Sequence, residues 1–168
     1  MKKKIRDTPQ EIETIINSME KYALGDIRHN QSRPIAAFIL CMCLIDQLSS
    51  FRYKLHRDAN KRPEDFINEY MPDYRGLDLY DMFRHSLIHH YSSQGKFDID
   101  NRGNEEVPFA LKDSVIYINT NVFIYYLEKA FTKVVADFRN IDSEAFRNAI
   151  ENSMYHPVLV DPHHICHA

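Results

Sequence analysis

No run of apolar residues in this sequence reaches the ~20 residues that a membrane-spanning helix needs; the strongest, Ile35 to Ile45, stops well short, so no transmembrane segment is expected. The basic start (Lys2, Lys3, Lys4, Arg6) runs into Asp7-Thr8-Pro9-Gln10 rather than an apolar stretch, which argues against a secretory leader and makes a cytoplasmic protein the default expectation. Cysteine is scarce. The three present are an odd number, and Cys41 and Cys43 fall in the middle of the apolar run, which points to reduced core thiols rather than a disulfide framework. Nor is positive charge in excess: 21 Lys and Arg against 24 Asp and Glu leave a net charge of −3, so any grip on nucleic acid has to come from a local patch. Internal repeats, low-complexity segments and an evident domain boundary are also missing.

What the chain does have is material for a core. Of its 168 residues 44% are apolar and 12% aromatic, with ten Phe and ten Tyr, and a chain of this length can bury roughly two-thirds of its unfolded surface. Thr8-Pro9-Gln10-Glu11 is a helix start signal, Ile12, Ile15, Ile16 and Met19 recur at helical spacing after it, and Gly25 supplies a stop. Ser32 and Pro34 open a second helix that is apolar on all sides, the pattern of an element surrounded by others. Pro63 starts a short helix with Phe66, Ile67 and Tyr70, ended by Pro72, and a fourth helix is expected from Leu77 to Tyr91. Lys96 to Asp100 and Val115 to Ile118 alternate like strands about an Asn101-Arg102-Gly103 turn, which suggests a hairpin. Phe123, Leu127, Ala130, Phe131, Val134 and Phe138 mark an amphipathic helix, and a last short helix is expected behind an Asp142 cap with an Ile141 to Phe146 staple. The fold class that results is mainly α: an up-and-down helical bundle of five or six helices with a small β-hairpin insertion, one domain over 1–154 and an extended C-terminal tail over 155–168.

Chemistry concentrates on the fourth helix. Stepping about 100° per residue from Arg84 places Leu77, Tyr80, Ile88 and Tyr91 within about 40° of it, so Arg84 is expected at the centre of an apolar stripe, where an unpaired cation would cost several kcal/mol. Asp78, Asp81, His85, His89 and Ser92 share the adjoining strip. The one charge embedded in the apolar run, Asp46, is the expected partner of Arg84. Such a pair could serve only to fix helix packing while the histidines face water. Asp81, His85 and His89 also have the spacing of metal ligands on one helix face, although ordinary surface residues produce it often, and no metal is assigned. Arg52, Lys54, Arg57, Lys61 and Arg62, crowded between the second and third helices, read either as a solvated helix end or as a basic patch for nucleic acid. The tail residues His163, His164, Cys166 and His167 are too close together to close one tetrahedron readily.

The string Arg84-His85-Ser86-Leu87-Ile88-His89 resembles the signature of the HEPN superfamily of helical-bundle proteins, an Arg separated by four to six residues from a His, with Asn, Asp or His commonly next to the Arg. Arg84, His85 and His89 match those three places, and the resemblance extends over the helical order from about Ile35 to Arg139. It implies a metal-independent endoribonuclease with no cofactor, or a non-catalytic relative that binds a protein or nucleotide partner through the same cleft. Under the resemblance His89 is the general base, Arg84 holds the scissile phosphate and His85 positions either group or the leaving oxygen, with Asp46, Asp81 and Tyr91 in support. The site in that family forms between two protomers, which implies a homodimer. RNA and an antitoxin or other neutralising protein are the further partners, and no membrane is implied.

Overall fold

The computed structural model of the chain describes residues 8–54, 57–84, 97–101 and 107–155. Helical structure begins at Thr8 and passes through the expected stop: α1 (Thr8–Ser18) leads into a π-helical stretch, Met19–Leu24, and on into α2 (Gly25–His29). Gly25 keeps right-handed helical angles, and the run ends only at Asn30. Ile12, Ile15, Ile16, Met19, Leu24 and Ile27 supply its buried face. A glycine ends a helix when it takes up left-handed angles, and nothing here calls for that.

α3 (Pro34–Arg52) is the central element, packed by α4 (Arg62–Tyr70), α6 (Thr120–Arg139) and α7 (Glu144–Ser153). It is 19 residues long with a mean hydropathy of 1.7, so by length and composition alone it could cross a membrane, and the short-run argument from the sequence understates it. Its apolar side chains are already used: Phe38, Cys41, Met42, Leu44, Ile45, Leu48 and Phe51 are buried inside the fold. The burial is not on all sides. Cys43 and Asp46 lie on an exposed strip, so only Cys41 of that pair is a core thiol.

At one end of the bundle Pro34 lies beside Thr120. At the other Arg52 donates through Nε to Tyr70 Oη (2.7 Å), which donates in turn to Asp137 Oδ2 (2.6 Å). α3 and α6 therefore run side by side in the same direction. The α1–α2 run lies antiparallel to α6, tied by Arg139 to Glu13 at one end and Arg28 to Glu128 at the other. From α7, Asn148 and Asn152 donate to the last carbonyls of α3, on Ser50, Arg52 and Tyr53, and so satisfy groups that a helix end leaves open. The cap of α7 is Ser143, whose Oγ accepts from the Phe146 N–H (2.9 Å); Asp142 does not cap it, and Ile141 stays exposed instead of stapling.

The β insertion is a three-stranded sheet in the order β1-β3-β2. β1 (Phe97–Asp100) and β3 (Val115–Asn119), expected to form the two arms of a hairpin, pair parallel, with Phe97 opposite Ile116 and Ile99 opposite Ile118. The hairpin is made by β2 (Phe109–Lys112) and β3, turning at Asp113 and Ser114, both with positive φ. Parallel pairing of β1 and β3 requires a crossover, and β2 lies within it. Phe97, Ile99 and Ile118 point into the core against α3. Asn119 then ends β3 and caps α6, its Oδ1 accepting from the N–H groups of Asn121 and Val122. Tyr74, fully buried, joins these parts: its ring meets Phe123 edge-on at 4.9 Å, and its hydroxyl donates to the Pro108 carbonyl.

Candidate functional site

Two turns determine where Arg84 sits. Arg75 donates to the Asn68 carbonyl and the Gly76 N–H to Asn68 Oδ1, with Gly76 at φ 77, which reverses the chain after α4. Asp78, itself left-handed at φ 49, then opens α5 (Leu79–Phe83). The free end of α5 is held from α4, because the Tyr80 N–H donates to Glu64 Oε2 (3.1 Å). Burial raises the Glu64 carboxyl above its ordinary range, the Tyr80 N–H works against this, and the charges of Asp78, Asp65 and Asp81 add to the rise. Its other oxygen, Oε1, is buried without a hydrogen-bond partner.

Leu79 and Phe83, one turn apart, form the buried face of α5. Arg84, about 100° round from Phe83, continues the helical path and is exposed. This corrects the helical-wheel expectation: the centre of the apolar stripe falls on Leu79 and Phe83, not on Arg84. Arg84 Nη1 donates to Asn60 Oδ1. Asn60 lies in the loop before α4, where Asp58 organises the backbone: its Oδ1 accepts from the Asn60 N–H (2.9 Å), and its carbonyl accepts from the N–H groups of Lys61 and Arg62. Asn60 facing Arg84 and Glu64 facing Tyr80 mark α4 and α5 as antiparallel neighbours.

The expected Asp46 to Arg84 ion pair does not form among the described residues. Asp46 instead bears on Tyr80, whose hydroxyl is raised to about 12 by burial first and then by the Asp46 carboxylate, while the Arg84 charge acts in the opposite sense. Exposed Cys43, Asp46 and Arg84 thus gather about the half-buried Tyr80. Asp81 is exposed on the next turn. His85, His89 and Tyr91 lie outside the described residues, as does the expected continuation of the fourth helix to Tyr91. So do His163, His164, Cys166, His167 and the rest of the expected tail beyond Tyr155. Among the described residues no three His, Cys, Asp or Glu side chains gather as a metal site.

The basic segment is largely matched by acid. Arg52 Nη2 pairs with Glu69 at 2.8 Å, Arg57 with Asp65 at 2.6 Å and Lys54, more loosely, with Glu144 at 3.4 Å. Lys61 is exposed. Arg62, counted with the patch from its sequence neighbours, is buried at 7% exposure with Nε and Nη1 lacking partners, which removes it from any exposed basic face. Arg52, Lys54 and Arg57 nevertheless line one cleft of about 430 Å³ with Tyr53, Glu69, Glu144 and Asn148. The Arg52 and Arg57 guanidiniums both lie over the Tyr53 ring, 5.2 and 4.9 Å from its centre, and the Tyr53 hydroxyl donates to Glu69 Oε2. Burial, reinforced by Glu69, pushes that hydroxyl's pKa up.

Sequence reasoning missed Asn60, Glu64 and Tyr80. The spacing of Asp58 and Asn60 is that of a side-chain-closed turn and was the one local signal available for Asn60; the other two follow only from how α4 and α5 pack. No family model, curated protein or solved structure matches this chain.

Proposed function

We propose that the chain is a HEPN-like RNA-binding protein that cleaves RNA without a metal, as a homodimer. What supports the reading is the state of one side chain. The guanidiniums of Arg28, Arg52, Arg57 and Arg139 each meet a carboxylate, whereas exposed Arg84, on a helix held by Glu64, is met by a neutral amide, much as Arg75 is met by the Asn68 carbonyl. Among the described residues no carboxylate pairs with it, and a guanidinium offers a phosphate a matched pair of donors.

The cleavage attributed to the site is internal transesterification. His89 takes the proton of the ribose 2′-hydroxyl; the 2′-oxygen attacks phosphorus; Arg84 stabilises the charge that builds on the non-bridging oxygens. The bond to the 5′-oxygen then breaks, and an imidazole, His85 or the partner's copy, protonates the leaving oxygen. The products are a 2′,3′-cyclic phosphate and a 5′-hydroxyl. Imidazole, with an ordinary pKa near 6.5, exchanges protons at neutral pH as both steps require. One motif offers too few groups for base, acid and phosphate clamp together, and a two-fold axis beside α5 supplies the second set.

Mixed-sequence RNA incubated with the purified protein in EDTA is the test. Cleavage to cyclic-phosphate ends, reduced about a hundredfold or more in His89→Ala and in Arg84→Ala, is the expected result. No cleavage, or cleavage undiminished in His89→Ala, overturns the catalytic reading; retained RNA binding without cleavage would favour the non-catalytic relative.

A further inference from the structure

Arg84 lies in acidic surroundings, and several of the nearby carboxylates already accept a hydrogen bond from another group. Glu64 takes the Tyr80 N–H, Asp65 the Arg57 guanidinium and Asp58 the Asn60 N–H. Among the described residues the group that Arg84 meets is the Asn60 carboxamide, on a loop whose backbone Asp58 fixes. Asparagine and aspartate have the same shape and reach. A carboxylate at this position could close a forked ion pair and cancel the charge, while the amide orients the guanidinium and leaves the charge in place.

We infer that Asn60 is a positioning residue: it holds Arg84 as an uncancelled cation aimed at a phosphate oxygen of a single-stranded polynucleotide. The ligand class rests on the RNA reading above. The placement of Arg84 by Asn60 does not, and the two separate by experiment. If Arg84 were only a packing element, replacing its neutral partner by an isosteric carboxylate would be harmless or favourable in every assay. If it serves a phosphate, the same change must remove binding while leaving the fold intact.

The probe is a short fluorescent single-stranded RNA, its affinity followed by anisotropy across a salt series, with thermal midpoints recorded in parallel. Asn60→Asp is expected to weaken binding about tenfold or more, as Arg84→Ala does, and to lower the slope of log affinity against log salt by about one phosphate contact, at a raised midpoint. Asn60→Ala is expected to lose less, because the cation is retained but not aimed. A wild-type protein that binds the RNA while Asn60→Asp binds it as tightly overturns the inference. A wild-type protein with no affinity for the RNA removes the ligand assignment and the RNA reading together. The placement is then judged by the midpoints: the gain on Asn60→Asp must disappear in an Arg84→Ala background, and equal effects in both backgrounds overturn it.

Discussion

Ser114 occupies a position that asks for glycine. It follows Asp113 in the turn between β2 and β3, and the two residues have φ of 65° and 51°. Two-residue hairpin turns with both φ positive favour Asn or Asp first and Gly second, and this turn meets only the first preference. A left-handed angle costs a residue with a Cβ about 1–2 kcal/mol. Ser114→Gly should therefore stabilise the protein by about 1 kcal/mol and raise its thermal midpoint by about 2–4 °C; a lowered midpoint would refute the strain assigned here. Lacking that glycine, the sequence pointed to Asn101-Arg102-Gly103 as the turn instead. Arg84 shows a similar limit at the residue scale: periodicity put it on an apolar stripe, but which residue lies at the centre of a stripe depends on the partner helix. Leu79 and Phe83 are set there by packing.

Elements with strong periodicity were legible. The buried face of α6 is the one its spacing predicts, and α4 begins and ends at its prolines within a residue or two. Local stop signals were less reliable, and Gly25 is the clearest case. It lies inside helical backbone at φ −57 and ψ −47, and a Cβ added there would meet nothing within 4 Å. With no turn to make and open space beside it, the glycine only loosens the chain between the π-helical stretch and α2. Gly25→Ala is expected to stabilise by about 0.5–1 kcal/mol, read as a rise in thermal or denaturant midpoint; destabilisation would mean that the stretch needs the freedom. Strand pairing was illegible for a different reason. Alternation shows which residues share a face, but not whether the neighbouring strand arrives from the same or the opposite direction, so the parallel pairing of β1 with β3 could not be read from either segment.

At the scale of the molecule, α3 packs against α2, α4, α5, α6, α7 and β1, and its apolar character, taken alone, fits a membrane as well as a core. Its burial by α4, α6 and α7 decides the matter within this fold. Among the described residues the corner formed by exposed Cys43, Asp46 and Arg84 about half-buried Tyr80 is correspondingly small. A chain of 19.9 kDa acting through a shared cleft should sediment at about twice that mass, whereas a species that stays at the single-chain mass at the concentrations where RNA is cut would rule out the two-fold site. The general mainly α architecture was readable from composition and periodicity together; the candidate site was readable only as the Arg84 to His89 string, because its supporting residues come from a loop and a helix distant in sequence.

β3 ends at Asn119 and α6 begins at Thr120, with no linking residue between them. Strand register and helix rotation are thereby geared to each other. A slip of one position in the sheet would exchange the two faces of β3 and, carried into α6, turn Phe123, Leu127 and Phe138 about 100° away from the interior. The junction works as a shaft key: the sheet, small as it is, sets the phase of the longest helix, so a one-residue insertion at the join should disturb the whole bundle far more than the same insertion at a surface turn.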